Sequence, residues 1–138
     1  GGRLHRLGLH DAVLIKDNHI AGLGASFSES IEAGASGCRE QMRPRFIEIE
    51  VDDLKQFEAV LDLPSGTVDI VLLDNMDLEM IREAVGRRNL RRRGLLLEAS
   101  GGVTLESVRA VAETGVDRIA VGAITHSAYQ VDFGLDMS

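Results

Sequence analysis

The feature that most constrains this sequence is an alternation of short apolar segments with longer amphipathic ones, repeated at roughly 25-residue spacing. Each apolar segment is about six residues long and rich in Val, Ile and Leu, which is typical of a strand buried in a parallel sheet. The predicted strands are residues 11–16, 46–51, 69–74, 95–100 and 118–123.

This alternation of strands and helices predicts βα units and therefore an α/β fold class. A closed eightfold βα barrel needs roughly 250 residues, whereas this chain has 138. We therefore predict a partial, open parallel (βα) barrel, similar to a TIM barrel, in which five βα-type units are visible.

Helices are predicted between the strands because apolar side chains recur there at helical spacing. In the last of these helices Leu105 lies on the apolar face, Thr104 is a suitable N-cap and Gly115 a suitable C-cap. A Gly- and Ser-rich region is also predicted to contain a helical stretch between Ser28 and Glu40. The other predicted helices are residues 53–61, 77–88 and 104–114.

The composition excludes several function classes. With 22 acidic and 15 basic residues the net charge is −7, which argues against general binding to nucleic acids or membrane surfaces, since both favour a basic face. Cys38 is the single cysteine, so an internal disulfide is excluded and a reducing compartment, the cytoplasm, is expected. The chain opens Gly1-Gly2-Arg3 without Met or a signal peptide, and we expect it to be part of a longer polypeptide.

Polar residues gather at the ends of the predicted strands, where the chemistry of a βα barrel is located. Because side chains alternate along a strand, Glu48 and Glu50 lie on the face opposite Ile47, Ile49 and Val51. The same alternation applied to the other strands predicts a set that points into the barrel. This inward set is Lys16, Glu48, Glu50, Asp74, Glu98 and Ser100.

Several carboxylates inside one barrel need positive charge nearby. The candidates are Lys16, a metal ion and a cationic transition state. The structural alternative is a buried salt-bridge network around Lys16, but one lysine cannot neutralise four acids.

Two glycine-rich turns follow consecutive strands and predict a phosphate site. Glycine lets a phosphate approach backbone N–H groups closely, and a helix N-terminus favours anions. Phosphate sites formed by two adjacent final loops recur in βα barrels. The two turns are Ser100-Gly101-Gly102 and Gly122 with Thr125 and His126.

Three other patterns carry less chemistry. His5, His10 and His19 match no common metal-ligand spacing. Ser100 has no nucleophile-elbow motif around it, which argues against a Ser–His–Asp hydrolase. The basic segment 87–93 is predicted to be a solvated helix end, with a subunit contact or an anion site as alternatives.

The block Lys16-Asp17-Asn18-His19, preceded by His5-Arg6, strongly resembles the quinolinate phosphoribosyltransferase family, also called the carboxylating nicotinate-nucleotide pyrophosphorylases. The resemblance runs from the first residue nearly to the last. Other matching blocks are Glu48-Ile49-Glu50-Val51-Asp52, Leu72-Leu73-Asp74-Asn75-Met76, Glu98-Ala99-Ser100-Gly101-Gly102 and Val121-Gly122-Ala123-Ile124-Thr125-His126-Ser127.

The resemblance implies a reaction in which quinolinate and phosphoribosyl pyrophosphate (PRPP), with Mg²⁺ as cofactor, give nicotinate mononucleotide, pyrophosphate and CO₂. It also implies a homodimer whose active sites are completed across subunits. The chain is then expected to be most of the C-terminal barrel domain over residues 1–138. The family's N-terminal α/β domain and the start of the barrel are expected to lie outside it.

Residue roles are carried over by position from the family. The positions that match quinolinate-binding residues are His5, Arg6 and Lys16. Glu50 and Asp74 match the acids that engage the ribose and Mg²⁺ of PRPP, and with Lys16 they form the expected catalytic set. The positions that match phosphate-binding residues are Ser100, Gly101, Gly122 and His126.

The sequence departs from the family pattern near its start. Arg3 stands where the family has a third glycine, and Leu4 stands where the family usually has asparagine. These departures bear on the backbone geometry there and leave His5 and Arg6 intact. Two other interpretations stay open: a related protein of the molybdate-transport type with another substrate, and an inactive fragment or assembly scaffold.

Overall fold

The computed structural model describes residue 2, residues 11–16 and residues 26–126. The strands of this part form one parallel sheet and lie side by side in the order in which they follow along the chain. They are β1 (Val13–Ile15), β2 (Ile47–Val51), β3 (Ile70–Asp74), β4 (Leu96–Ser100) and β5 (Arg118–Ile119). The predicted α/β class and open parallel (βα) architecture are confirmed.

Helices occupy the connections between these strands, and two of them begin at an aspartate cap. Asp53 Oδ1 accepts from the backbone N–H of Gln56 at 2.7 Å, and Asp77 Oδ1 accepts from the N–H groups of Glu79 and Met80. Each cap satisfies backbone donors that the first helical turn leaves unpaired. The helices are α1 (Phe27–Met42), α2 (Leu54–Asp62), α3 (Leu78–Arg91), α4 (Val108–Ala112) and α5 (Ala123–His126).

The two faces of the sheet differ in chemistry. Ile47, Ile49 and Val51 of β2 belong to one apolar cluster with the helices. The alternate side chains, Glu48 and Glu50, therefore lie on the opposite face. The sequential strand order explains this segregation, because right-handed crossovers in one direction place every helix on the same side of the sheet. The helix-free face is the interior face of the open barrel.

The last predicted unit is shorter than the sequence pattern indicated. β5 ends at Ile119 instead of residue 123, and Ala123 begins α5. α4 begins at Val108 rather than at Leu105, and the Thr104 Oγ1 accepts from Ser107 N–H in the turn that precedes the helix. Leu105 is consequently 86% exposed and does not join the core. The positive φ of 91° at Gly115 agrees with its predicted place after the helix.

The basic segment 87–93 is not simply a solvated helix end. Arg88 is buried and donates to the Leu95 carbonyl at 2.9 Å and to Asp117 Oδ2 at 2.7 Å. Arg92 donates to the carbonyls of Val60 and Leu63 at the end of α2. The segment therefore ties α3 to its neighbours, and its charges serve the packing of helices.

At the amino-terminal edge of the sheet, the same arrangement occurs twice: an aspartate accepts from an arginine of a helix and from a backbone N–H of the neighbouring strand. Asp117 Oδ2 accepts from Arg88 and from the backbone N–H of Leu97 in β4. Asp69 Oδ2 likewise accepts from Arg39 of α1 and from the N–H of Ile47 in β2, both at 2.8 Å. Each aspartate precedes a strand and connects that strand to a helix and to the strand before it.

No helix among the described residues is long and apolar enough to cross a membrane.

Candidate functional site

Three carboxylates meet at the carboxyl ends of β2 and β3. Glu50 lies near the end of β2, Asp52 follows that strand, and Asp74 ends β3. One carboxylate oxygen from each lies within 4.8 Å of those of the other two. Like charges at this separation repel unless a cation lies among them. The inward placement of Glu50 and Asp74 agrees with the sequence prediction.

Asp52 was absent from the predicted site residues, although the sequence carried a signal for it. It has the same parity as Glu50, and Val51 pairs with Leu73, so residue 52 is next to Asp74 in register. Carboxylate oxygens are the hard ligands that Mg²⁺ prefers. The donor set Glu50, Asp52 and Asp74 therefore fits a magnesium ion that also keeps water or substrate ligands.

Asn75 connects this carboxylate cluster with β4. Its side-chain Nδ2 donates to Asp74 Oδ2 at 2.7 Å, and its backbone N–H donates to the Ser100 carbonyl at 3.0 Å. The Asn75 backbone is left-handed, with φ of 51°, a conformation that asparagine tolerates better than most residues. Asn75 belongs to the Leu72-Leu73-Asp74-Asn75-Met76 block that resembles the family, but the family pattern predicted no role for it.

Gly101 packs directly against Asn75. A Cβ at position 101 would lie 2.2 Å from Asn75 Oδ1 and 2.8 Å from Asn75 N. Its φ is 93°, a conformation that side-chain-bearing residues rarely adopt. Glycine is therefore required here on two independent grounds, and the turn after β4 approaches the end of β3 closely.

A cavity of about 370 Å³ opens between the turns that follow β4 and β5. It contains three of the four predicted phosphate-binding positions, Ser100, Gly101 and Gly122, while His126, the fourth, lies in α5. The predicted juxtaposition of the two glycine-rich turns is thus confirmed, whereas their binding to phosphate stays a prediction. The full lining is Ser100, Gly101, Gly102, Val103, Thr104, Ala120, Gly122 and Ala123.

The interior face below the site contains Arg118, a cation that was not among the predicted interior residues. Glu98 is 5% exposed, and its Oε2 lies 3.9 Å from Arg118 Nη1 on the neighbouring strand. The Arg118 guanidinium also lies over the ring of Phe46, 5.6 Å from its centroid. The predicted strand 118–123 places Arg118 on the same face as Ala120, but its contact with Glu98 depends on the register of β4 and β5. Arg118 adds a cation to the candidates expected to balance the interior acids, which were Lys16, a metal ion and a cationic transition state.

The remaining predicted residues divide into two groups. Glu48 is completely buried on the interior face. Lys16 is exposed and follows β1, where the pairing of Ile15 with Ile49 places residue 16 beside Glu50 in register. His5 and Arg6, predicted to bind quinolinate, lie outside the described residues, as do His10 and His19.

Comparison with known proteins identifies relatives over nearly the whole chain. The family model for the C-terminal domain of quinolinate phosphoribosyl transferase matches residues 1–136. Nicotinate-nucleotide pyrophosphorylase [carboxylating] of Mycobacterium leprae is 44% identical over 137 residues, covering 99% of this chain and 45% of the relative. The chloroplastic enzyme of the same name from Arabidopsis thaliana is 35% identical, covering 98% of this chain and 41% of the relative.

Solved structures agree with these matches. Nicotinate-nucleotide pyrophosphorylase from Ehrlichia chaffeensis superposes with a TM-score of 0.71 at 42% identity, covering 92% of this chain and 42% of that one. The Francisella tularensis protein gives 0.68 at 37% identity, covering 88% and 39%. The chain spans less than half the length of each of these relatives.

Proposed function

Because this chain belongs to the quinolinate phosphoribosyltransferase family through that family's C-terminal domain, we propose that it takes part in transferring a phosphoribosyl group from PRPP to quinolinate. The products are nicotinate mononucleotide, pyrophosphate and CO₂, as in NAD biosynthesis. The observation that carries the proposal is the position of an acidic cluster beside a glycine-rich cavity, joined through Asn75. These are the two kinds of site that PRPP, a polyanion with a ribose hydroxyl system, requires.

The glycine-rich cavity is proposed to hold the 5-phosphate of PRPP. Ser100, Gly101 and Gly122 line it, and glycine allows backbone N–H groups to approach an anion closely. A neutral, glycine-lined cavity binds phosphate through hydrogen bonds rather than through a lysine or arginine charge. His126 is proposed as the additional donor that the family resemblance implies.

The acidic cluster is proposed to hold the ribose and pyrophosphate end of PRPP. Glu50 and Asp74, with Asp52, would hold Mg²⁺, which when bound supplies positive charge that neutralises the leaving pyrophosphate. Carboxylates on the interior face also stabilise the positive charge that develops on the sugar as the C1–O bond breaks. The two halves of the site thereby act on the two ends of one substrate.

Quinolinate is a dianion, and its proposed pocket is cationic. Lys16 lies at the end of β1, beside Glu50 in register, where its ammonium group can bind a substrate carboxylate. His5 and Arg6 are proposed to complete this pocket, since arginine binds carboxylates through two parallel hydrogen bonds. The pyridine nitrogen then attacks C1 of the ribose as the C1–O bond to pyrophosphate breaks. The 2-carboxylate leaves as CO₂, its bonding electron pair stays at C2 beside the quaternised nitrogen, and C2 takes up a proton from water.

The decisive experiment is turnover by the protein expressed from its complete reading frame. Quinolinate, PRPP and Mg²⁺ should give nicotinate mononucleotide, and the 138-residue chain is assayed in parallel. Asp74→Asn should lower kcat/KM by about 100-fold, because it removes charge where the transition state needs it. Asp62→Asn, which changes an exposed acid of α2 bonded to Arg91, is the matched control and should change kcat/KM less than about twofold.

The outcomes separate the interpretations. Product from the complete protein alone means that groups outside this chain are essential, and product from both means that these strands suffice. A folded complete protein that ignores quinolinate but turns over or binds another anion would contradict the proposal and favour the molybdate-transport type. Homodimer formation and a cytoplasmic location are proposed with this function and are tested by sedimentation and cell fractionation.

A further inference from the structure

The Asn75 side chain contacts both the acidic cluster and the turn that lines the cavity. Its Nδ2 donates to Asp74 Oδ2 at 2.7 Å, while its Oδ1 faces Gly101 so closely that a Cβ there would lie at 2.2 Å. Its backbone N–H donates to the Ser100 carbonyl at 3.0 Å. One residue therefore contacts groups from β3 and from the turn after β4.

The conformation of Asn75 makes these contacts mutually dependent. With φ of 51° the chain turns sharply after β3, which brings the backbone N–H toward Ser100 and the side chain toward Asp74. The carboxylate of Asp74 has one oxygen engaged by Nδ2, so rotation about its terminal torsion is restricted. The second oxygen is consequently held in one direction relative to Glu50 and Asp52.

We propose that Asn75 is a positioning residue that fixes the orientation of Asp74 and its separation from the phosphate cavity. The proposal rests on the proposed function and names a residue that acts on PRPP through Asp74 and Gly101. PRPP must reach both the cavity and the acidic cluster at once, so the span between them has to match the substrate. A small misplacement of such groups lowers the rate without loss of the fold.

The first test is Asn75→Gly, which keeps the left-handed backbone and removes only the side chain. We expect the KM for PRPP to rise about tenfold, the value of one lost hydrogen bond to a charged group, with the KM for quinolinate within about twofold and Tm unchanged. Arg43→Gly is the matched control, because Arg43 is exposed and has φ of 48° away from the site. A merely structural role would lower Tm and leave the two KM values in their original ratio.

The second test is a double-mutant cycle with Asp74. If Asn75 acts through Asp74, then Asn75→Gly in an Asp74→Ala background, where no oxygen is left to accept from Nδ2, should change the KM for PRPP by less than about twofold. A full tenfold effect in that background would overturn the proposal. Asn75→Ala places alanine in left-handed backbone, which alanine tolerates less well than asparagine or glycine. This variant should by contrast lower Tm as well as raise the KM for PRPP.

Direct binding of PRPP, measured by calorimetry on the complete protein with Mg²⁺, tests the positioning role of Asn75 separately from the proposed function. Binding by the wild type that weakens about tenfold in Asn75→Gly supports the positioning role. Equal binding by wild type and variant overturns that role alone. A folded wild type that neither binds PRPP nor turns it over overturns the proposed function and the role of Asn75 together.

Discussion

The two edges of the sheet differ in the surroundings of their acidic side chains. At the amino-terminal edge each acid has a cation: Asp69 accepts from Arg39 and Asp117 from the buried Arg88. At the carboxyl-terminal edge three acids lie within 4.8 Å of one another. An acid with a cation beside it stabilises the fold, whereas a cluster of like charges repels within itself and favours a cation among its members.

The hydrogen bonding of the two edges also differs, although positive φ values occur near both, since Arg43, Gly66 and Gly115 precede strands at the amino-terminal edge. Near the carboxyl-terminal edge Asn75, Gly101 and Gly102 all have positive φ. At the amino-terminal edge the aspartates bond to N–H groups of neighbouring strands and extend the regular ladder. This contrast agrees with the general division of βα barrels into a stabilising end and a catalytic end. It predicts that substitutions at one edge change stability and at the other change activity.

The largest expected effect is on stability, from Arg88→Met at the amino-terminal edge. The variant removes bonds to the Leu95 carbonyl and Asp117 from a side chain that is 5% exposed. Breaking such a buried pair costs about 3 kcal/mol, measured by urea denaturation. The exposed Arg82→Met on the same helix is the control. An Arg88→Met protein with normal stability and reduced turnover would contradict the assignment of this edge to stability rather than activity.

Next in size is Gly101→Ala at the opposite edge. The added Cβ would meet Asn75 at 2.2 Å and forces alanine into φ of 93°. We expect kcat/KM to fall about 100-fold through the displaced cavity turn and Asp74. Gly86→Ala is the control, because the Cβ would enter open space in the middle of α3. If Gly101→Ala keeps full activity, the close approach of the two turns does not matter to function.

The smallest effect is predicted for Glu58→Gln between α2 and α3. Glu58 accepts from Arg87 at 2.9 Å and from Arg91. Hydrogen bonds that Arg87 donates to Glu83 and Glu58 raise the pKa of its guanidinium above its ordinary value, but this group is open to solvent and its bonds are screened. Tm should fall by about 2 °C at low salt and by less in 1 M NaCl. A larger fall in Tm, or one that does not depend on salt, would show that these exposed ion pairs contribute more to stability than screened surface pairs do.

The predictions from sequence were most accurate where a single periodic pattern decided the structure. Glu48, Glu50, Asp74, Glu98 and Ser100 lie on the predicted interior positions because side chains alternate along every strand. Residues 118–123 were predicted less well, since apolar character does not show whether a neighbouring strand is present to pair with each residue. β5 therefore ends after two residues, and Ala123 enters a helix.

The linear pattern of residues was enough to predict which residues face the interior, which turns need glycine, and which family the blocks resemble. Only the tertiary structure decided the contacts between residues distant in the chain. Asn75 meets Ser100 because β3 and β4 pair in one register, and Arg118 meets Glu98 because β4 and β5 do so. Periodicity is a property of one strand, whereas register depends on the packing of two, so these partners could not be assigned from local pattern alone.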